Sequence, residues 1–137
     1  MLGGCLCGSV RYSLLVSTAD GSNEEKLVST CNCHCQMCQK SCGAPFVSWI
    51  RIPKTSFTVS CGSLTNFASS EKASRSFCGV CGTQIMFQSS ESQDTVDVTI
   101  ASLDSPDNFP PSENVWMQSH ISWALKVAHI PNLETDE

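Results

Sequence analysis

Ten cysteines among 137 residues are the groups in this sequence best suited to chemistry. Four of them form two close pairs, each followed directly by glycine: Cys5 with Cys7, and Cys78 with Cys81. Two thiolates three residues apart can hold one tetrahedral metal ion where the chain turns, and residues i and i+2 of an extended segment face the same side. A closed structural site needs four ligands. The spacing therefore favours one zinc site with four thiolates; the alternative is that Cys5 and Cys7 are small buried side chains.

The other notable group of cysteines lies within eight consecutive residues. Cys31, Cys33 and Cys35 share strand parity. Cys38 follows three residues later, so three or four of these thiols can converge on one metal ion. His34 should point to the opposite face of the strand, which predicts that it is not a ligand. Three thiolates on Zn²⁺ would carry a net charge of about −1 and leave a position suited to a further thiolate, which metal binding deprotonates and prepares as a nucleophile.

The segments that carry these thiols indicate a β-rich fold with little helix. Strands are predicted where apolar and polar residues alternate or β-forming residues cluster. These segments are residues 10–16, 27–33, 46–52 and 95–101. Segments 57–59 and 64–67 are predicted to form a hairpin around Gly62. A helical turn is expected over 36–41 and a polar loop over 20–26.

Size, charge and hydropathy limit the classes of function. The length predicts one domain, residues 1–133, with an acidic C-terminal tail over 134–137. A net charge of −5 argues against nucleic acid as a partner. No apolar run approaches the roughly 18–20 residues of a membrane helix, and no secretory signal is recognisable. A cytoplasmic or nuclear protein is expected, with its thiols kept reduced; five disulfides in a secreted chain are the alternative.

Four blocks of the sequence resemble the signature blocks of a known family. The blocks are residues 3–12 (GGCLCGSVRY), 33–38 (CHCQMC), 43–46 (GAPF) and 75–83 (RSFCGVCGT). They resemble, in the same order, those of the glutathione-dependent formaldehyde-activating proteins (Gfa-like, CENP-V/GFA domain). With weaker similarity over the later strands, the resemblance extends from residue 3 to about residue 123.

This resemblance implies an all-β, Mss4-like fold of several small coiled antiparallel sheets stapled by two zinc ions. A structural zinc ion is implied on Cys5, Cys7, Cys78 and Cys81. A labile, catalytic zinc ion is implied on Cys33, Cys35 and Cys38. The implied activity is that of a carbon–sulfur lyase acting in the synthetic direction on glutathione, or another small thiol, and formaldehyde or another small aldehyde.

Five residues leave alternatives open. Cys31 or Cys42 could complete the coordination of the second site and make it structural, or both could be idle thiols. Arg75 could attract a carboxylate of glutathione, although a solvated strand charge is the more frequent outcome. Asn114 and Ser122 stand where the family resemblance leads us to expect His and Pro. The alternative functions are a non-catalytic zinc module that binds a protein partner and a methionine sulfoxide reductase, which would need a free catalytic cysteine.

Isolated histidines and tryptophans complete the set of candidate residues. His120 and His129 could act as general bases, although isolated histidines are more often surface or partly buried residues. Trp49, Trp116 and Trp123 are expected to be core residues or cleft walls.

Overall fold

The computed structural model describes residues 1–16, 29–126, 128 and 130–132. Within these residues the chain forms ten short β-strands, one α-helix and four single-turn 3-10 helices. The strands are β1 (Leu2–Gly4), β2 (Arg11–Leu14), β3 (Ser29–Cys33), β4 (Val47–Pro53), β5 (Phe57–Cys61), β6 (Leu64–Ser70), β7 (Ala73–Cys78), β8 (Gln84–Ser89), β9 (Thr95–Thr99) and β10 (Glu113–Val115). The helix is α1 (Gln36–Cys42).

The strands form two sheets, which confirms the predicted β-rich fold. A three-stranded sheet has the order β1-β2-β5, and a seven-stranded sheet has the order β10-β3-β4-β9-β8-β7-β6. Neighbouring strands are antiparallel except β10 and β3, which run parallel. This parallel pair sets Val115 opposite Cys33 and so brings a late segment of the chain beside the cysteine-rich strand.

A shared apolar core joins the two sheets. Tyr12 and Leu14 of β2 are buried in the same cluster as Ile50 of β4 and Val98 of β9. Full burial of a large apolar side chain contributes about 1.5–3 kcal/mol, so these contacts supply much of the cohesion between the sheets. Burial raises the pKa of Tyr12 to about 12, which keeps the phenol neutral, and its hydroxyl lies 2.6 Å from the hydroxyl of Ser102.

The predicted hairpin around Gly62 is wrong. β5 pairs with β2 in the three-stranded sheet, whereas β6 pairs with β7 at the edge of the larger sheet. The chain therefore passes from one sheet to the other at this turn. Gly62 has a left-handed φ of 73°, and a Cβ atom there would collide with the carbonyl oxygen of Ser9. Both the backbone conformation and the close approach require glycine.

The other predicted elements agree with the structure where they can be compared. The helical turn predicted over 36–41 is α1, and the strand predicted over 46–52 is β4. The strand predicted over 95–101 is β9 as far as Thr99, where a 3-10 helix (Ile100–Ser102) begins. Residues 29–33 of the predicted strand 27–33 are β3, whereas its first two residues and the predicted loop lie outside the described residues. The C-terminal tail also lies outside them, so the domain boundary at residue 133 remains a prediction. No helix in the described ranges is long and apolar enough to cross a bilayer.

We expect Gly62→Ala to destabilise the protein more than Gly43→Ala, as measured by urea unfolding of the zinc-loaded protein. Gly43 ends α1 with a φ of 63° and open space around its Cα, so alanine there bears the cost of the left-handed conformation alone, about 1–2 kcal/mol. Alanine at Gly62 bears a similar cost and also displaces the backbone of Ser9. Equal losses in the free energy of unfolding of the two variants would show that the close approach of Gly62 to Ser9 imposes no constraint.

Candidate functional site

The first candidate metal site is formed by the four cysteines that the sequence pairs. The Sγ atoms of Cys5, Cys7, Cys78 and Cys81 all lie within 4.8 Å of one another. The Sγ of Cys7 is 3.5 Å from that of Cys5 and 3.8 Å from that of Cys78. Zn–S bonds of about 2.3 Å in a tetrahedron place sulfur atoms about 3.8 Å apart. The four thiols therefore fit a tetrahedral zinc ion with a closed shell of ligands.

Backbone and hydroxyl groups hold these four thiols in place. The backbone N–H of Val10 donates to the Sγ of Cys5 at 3.2 Å. The hydroxyl of Thr83 lies 3.2 Å from the Sγ of Cys81 and also accepts a hydrogen bond from the backbone N–H of Leu6. Its hydrogen bond lowers the pKa of Cys81 to about 5, which favours the thiolate that a metal binds. Thr83 thus links the two halves of the site.

The second candidate metal site is a cluster of three thiols at the junction of β3 and α1. The Sγ atoms of Cys33, Cys35 and Cys38 lie within 4.8 Å of one another. Cys33 ends β3, Cys35 is the N-cap of α1, and Cys38 lies in the first turn of the helix. The Sγ of Cys35 accepts a hydrogen bond from the backbone N–H of Cys38 at 3.3 Å. β3 is followed closely by α1, and the N-cap of α1 is Cys35. The three thiols therefore converge within six residues.

Neither Cys31 nor Cys42 belongs to this three-thiol cluster. Cys31 lines the same cavity of about 220 Å³, which we call the inner cavity, but stands apart from the three clustered thiols. Burial raises the pKa of Cys31 to about 11. Cys42, in the last turn of α1, donates to the side-chain oxygen of Gln84 at 2.9 Å and lines a different cavity. Among the described residues, no fourth Cys, His, Asp or Glu completes the cluster.

His34 points away from the three thiols, as predicted. It is fully buried, its Nε2 lies 3.3 Å from the side-chain oxygen of Asn114, and its ring stands 5.1 Å from that of Phe46. Asn114, which the sequence marked as a departure from the expected histidine, therefore serves to join β10 to the end of β3. This contact supports the strand that leads to the inner cavity.

Arg75 is the candidate residue whose burial the sequence did not predict. It is a buried side chain, 5% exposed, and not a solvated strand charge. Its Nη2 donates to the Sγ of Cys38 at 3.5 Å, and its guanidinium lies 5.0 Å from the ring centre of Phe87. Hydrogen bonds from the Cys33 thiol and then from Arg75 lower the pKa of Cys38 to about 5. Arg75 is thus a countercharge for the cluster.

Aromatic side chains form the walls of the inner cavity. Trp49 is buried and its ring lies 6.2 Å from that of Phe87. Trp116 lines the same cavity and is 58% exposed. Its backbone is left-handed, with a φ of 60°, which is uncommon for a bulky residue and is found where the surrounding structure enforces it. Trp49 and Trp116 are therefore cleft walls, whereas Trp123 is exposed.

The remaining cysteines and histidines of the candidate set lie elsewhere. Cys61 is exposed at the end of β5, and His120 is exposed with its Nδ1 2.6 Å from the carbonyl oxygen of Met117. His129 lies outside the described residues. All ten cysteines are free thiols in the structure, so the disulfide alternative receives no support from it.

A family model described as glutathione-dependent formaldehyde-activating enzyme matches residues 1–119. The chain belongs to this family. This confirms the resemblance found in the sequence blocks, and it is consistent with two cysteine clusters that could hold metal ions.

Two further proteins are similar to this chain. An uncharacterized lyase of Schizosaccharomyces pombe is 33% identical over 85 residues, which is 62% of this chain and 55% of that protein. The chain therefore spans about half the length of this curated relative. The crystal structure of a Rhodobacter sphaeroides protein has a similar fold, with a TM-score of 0.64 and 20% identity over 84% of this chain and 100% of that one.

We expect the purified protein to hold two zinc ions per chain. Loss of the ion from the first site should destabilise the fold, whereas loss of the ion from the second site should not. Cys35→Ser should retain one zinc ion and the cooperative unfolding transition, because the second cluster is local in sequence. Cys78→Ser should lose the transition, because Cys78 joins β7 to the segment after β1. Elemental analysis and urea unfolding measure both effects. Cys61→Ser is the matched control and should keep both ions; a folded Cys78→Ser protein would contradict the structural role.

Arg75→Met should weaken zinc retention at the second site alone. Groups that orient or neutralise metal ligands typically contribute about 10–100-fold to metal affinity, and Arg75 supplies the positive charge beside Cys38. Competition with a chromophoric chelator measures the affinity, and the first site serves as an internal control. Arg75→Lys should lie between wild type and Arg75→Met. Equal weakening at both sites would mean that the substitution disturbs the fold rather than the cluster.

Proposed function

We propose that the protein is a zinc-dependent enzyme that joins glutathione and formaldehyde into S-hydroxymethylglutathione, formally a carbon–sulfur lyase acting in the synthetic direction. The observation that supports this most directly is the three-thiol cluster, which opens into the inner cavity and has no fourth ligand among the described residues. A closed tetrahedral site would be structural, whereas three protein ligands leave a position for a substrate.

In this reaction the protein forms no covalent bond to either reactant. A carbon–sulfur bond forms between the glutathione sulfur and the aldehyde carbon, and the proton released from the thiol ends on the carbonyl oxygen. The protein must therefore bring an ionised thiol and a small aldehyde together in a fixed orientation. A cavity of about 220 Å³ lined by Trp49, Phe87 and Trp116 has room for the thiol end of glutathione beside a small aldehyde.

Cys33, Cys35 and Cys38 would hold the catalytic zinc ion. When bound there, zinc would keep an incoming thiol deprotonated at neutral pH or polarise the oxygen of the aldehyde. Three thiolates and Zn²⁺ carry a net charge of about −1, which opposes the approach of a further thiolate. The Arg75 guanidinium at 3.5 Å from the Cys38 sulfur offsets that charge and so favours binding of an anionic substrate.

The first cluster would hold a structural zinc ion. Its four thiols leave no open position. Cys5 and Cys7 follow β1, Cys78 ends β7, and Cys81 lies in the turn between β7 and β8. The ion would fix the three-stranded sheet against the larger one without taking part in the reaction.

We expect the zinc-loaded protein to accelerate adduct formation between glutathione and formaldehyde, as followed by NMR exchange between free and hydroxymethylated glutathione. Cys35→Ser should lower the acceleration at least about tenfold, because a ligand that creates the open site is removed. Cys42→Ser should retain activity, since Cys42 faces Gln84 and not the cluster.

The controls also separate this proposal from its rivals. If Cys42→Ser fails as Cys35→Ser does, Cys42 completes the second site and the site is not open in the way proposed. Absence of acceleration in a protein with two zinc ions would favour the non-catalytic zinc module. Reduction of a sulfoxide substrate by a thiol, with no effect on adduct formation, would favour the methionine sulfoxide reductase.

A further inference from the structure

The opening of the inner cavity is marked by those of its lining residues that also face solvent. Most of the lining is buried or half-buried, including the three clustered thiols and Trp49. Three lining residues are exposed: Met37 of α1, Arg51 of β4 and Trp116, which follows β10. The opening of the cavity to solvent is therefore framed by these three side chains.

The three side chains differ in how firmly they are held. Met37 is 50% exposed, and its unbranched side chain has three rotatable bonds, so it can move aside. Arg51 is turned toward Asp97, to which its guanidinium donates at 2.8 and 3.0 Å. Trp116 carries a large, rigid ring on only two rotatable bonds, so its backbone largely decides where the ring lies.

Hydrogen bonds fix the backbone on both sides of Trp116. Before it, Val115 pairs with Cys33 in the parallel ladder, and the carbonyl oxygen of Val115 accepts from the backbone N–H of His34 at 3.0 Å. After it, the backbone N–H of Ser119 donates to the carbonyl oxygen of Trp116 at 3.0 Å and closes a single helical turn. The preceding attachment leads directly to the strand that carries the thiols.

Gln39 of α1 ties the following turn to the same thiols. Its side-chain nitrogen donates to the carbonyl oxygen of Ser119 at 2.9 Å and to that of His34 at 2.6 Å. His34 lies between the cluster residues Cys33 and Cys35 in the sequence. The turn that begins at Trp116 is thus anchored to the cluster at both of its ends.

The backbone conformation at Trp116 favours a different residue from the one that is present. Its φ of 60° and ψ of 39° are left-handed, a conformation that glycine adopts readily and that strains a bulky residue. It is the one described non-glycine residue with a positive φ, whereas four glycines adopt such a φ elsewhere. Strain of this kind is found where a side chain serves a function. The presence of tryptophan in this turn therefore points to a role of its indole at the opening.

The inner cavity is small for a ligand site. Its volume of about 220 Å³ lies below the range of about 300–1,000 Å³ that is usual for such sites. Under the proposed function it holds the sulfur end of one reactant and the whole of the other, which leaves room for an aldehyde of few atoms. Hydrophobic pockets discriminate by about 10–200-fold for one added or missing methylene.

We infer that Trp116 is the specificity-determining residue for the aldehyde. Its indole narrows the opening of the inner cavity and so excludes branched and aromatic aldehydes from the thiols. The inference rests on the proposed function and adds to it the residue that selects small, unbranched aldehydes.

The test compares isobutyraldehyde with formaldehyde as the partner of glutathione, in the zinc-loaded, full-length protein. NMR exchange measures the acceleration of adduct formation over the uncatalysed reaction for each aldehyde, which corrects for their different reactivity. Trp116→Ala should raise the isobutyraldehyde-to-formaldehyde ratio of these accelerations at least about tenfold, because the branched aldehyde gains entry. Trp116→Phe should give a ratio between those of wild type and Trp116→Ala.

Two further variants separate the indole from the fold. Trp123→Ala is the matched control and should keep the wild-type ratio, because Trp123 is 55% exposed and does not line the inner cavity. Trp116→Gly should give the same ratio as Trp116→Ala but unfold at a higher urea concentration, because glycine adopts the left-handed conformation readily. A wild-type ratio in Trp116→Ala or Trp116→Gly would overturn the inference. An equal change of the ratio in Trp123→Ala would do the same.

Alkylation of the cluster thiols tests the same opening without the proposed reaction. A cysteine thiolate displaces iodide from iodoacetamide or from the bulkier iodoacetamidofluorescein and forms a thioether, and peptide mass spectrometry measures both rates. Wild type should disfavour the bulky reagent at Cys33, Cys35 and Cys38 relative to the exposed Cys61. Trp116→Ala should reduce that discrimination at least about tenfold.

The two measurements separate this inference from the proposed function. Exclusion of the bulky reagent that depends on Trp116, in a protein that does not accelerate adduct formation, would support the role of the indole at the opening and reject the proposed reaction. Acceleration with an aldehyde ratio that is the same in wild type and Trp116→Ala would support the reaction and overturn the inference.

Discussion

The fold depends on one long-range constraint, the meeting of four cysteine sulfurs that come from opposite parts of the chain. Cys7 and Cys78 are 71 residues apart in sequence and 3.8 Å apart at their sulfurs. The three-stranded sheet has a small surface of its own, and its apolar face is completed by the larger sheet. A metal ion bound at this junction would act together with the buried face of β2 to hold the smaller sheet against the larger one.

The candidate catalytic site follows from a different and local arrangement. β3 ends at Cys33 and α1 starts after Cys35, so the change from extended to helical backbone turns three sulfurs toward one point. The tertiary structure adds what the local segment lacks: a buried guanidinium from β7, an aromatic ring from β8, and Trp116 beyond β10. The chemistry of the site thus comes from a short segment, whereas its charge balance and its walls come from the sheet.

Much of this was predictable from sequence, because cysteine spacing carries geometric information. The close pairs of the first cluster, the direction of His34 and the helical turn after Cys35 follow from parity or from short-range spacing, whereas the choice of Cys33, Cys35 and Cys38 without Cys31 came from the family resemblance. The burial of Arg75 does not, because it depends on partners from α1 and β8 that no local pattern identifies. The wrong hairpin has the same origin: Gly62 signals a turn, but the partner that each flanking strand takes is decided by the whole sheet.

The two clusters differ in how far apart their ligands lie in the sequence, and this difference decides whether each could bind a metal ion in the unfolded chain. The first set of ligands converges in the folded protein, so its ion should be released when the chain unfolds, and its binding energy contributes to folding. The second set lies within six consecutive residues, which can wrap an ion without any sheet. An ion that binds both states shifts the folding equilibrium little. The chain could therefore take up its second ion during synthesis, before the sheet that completes the cavity exists.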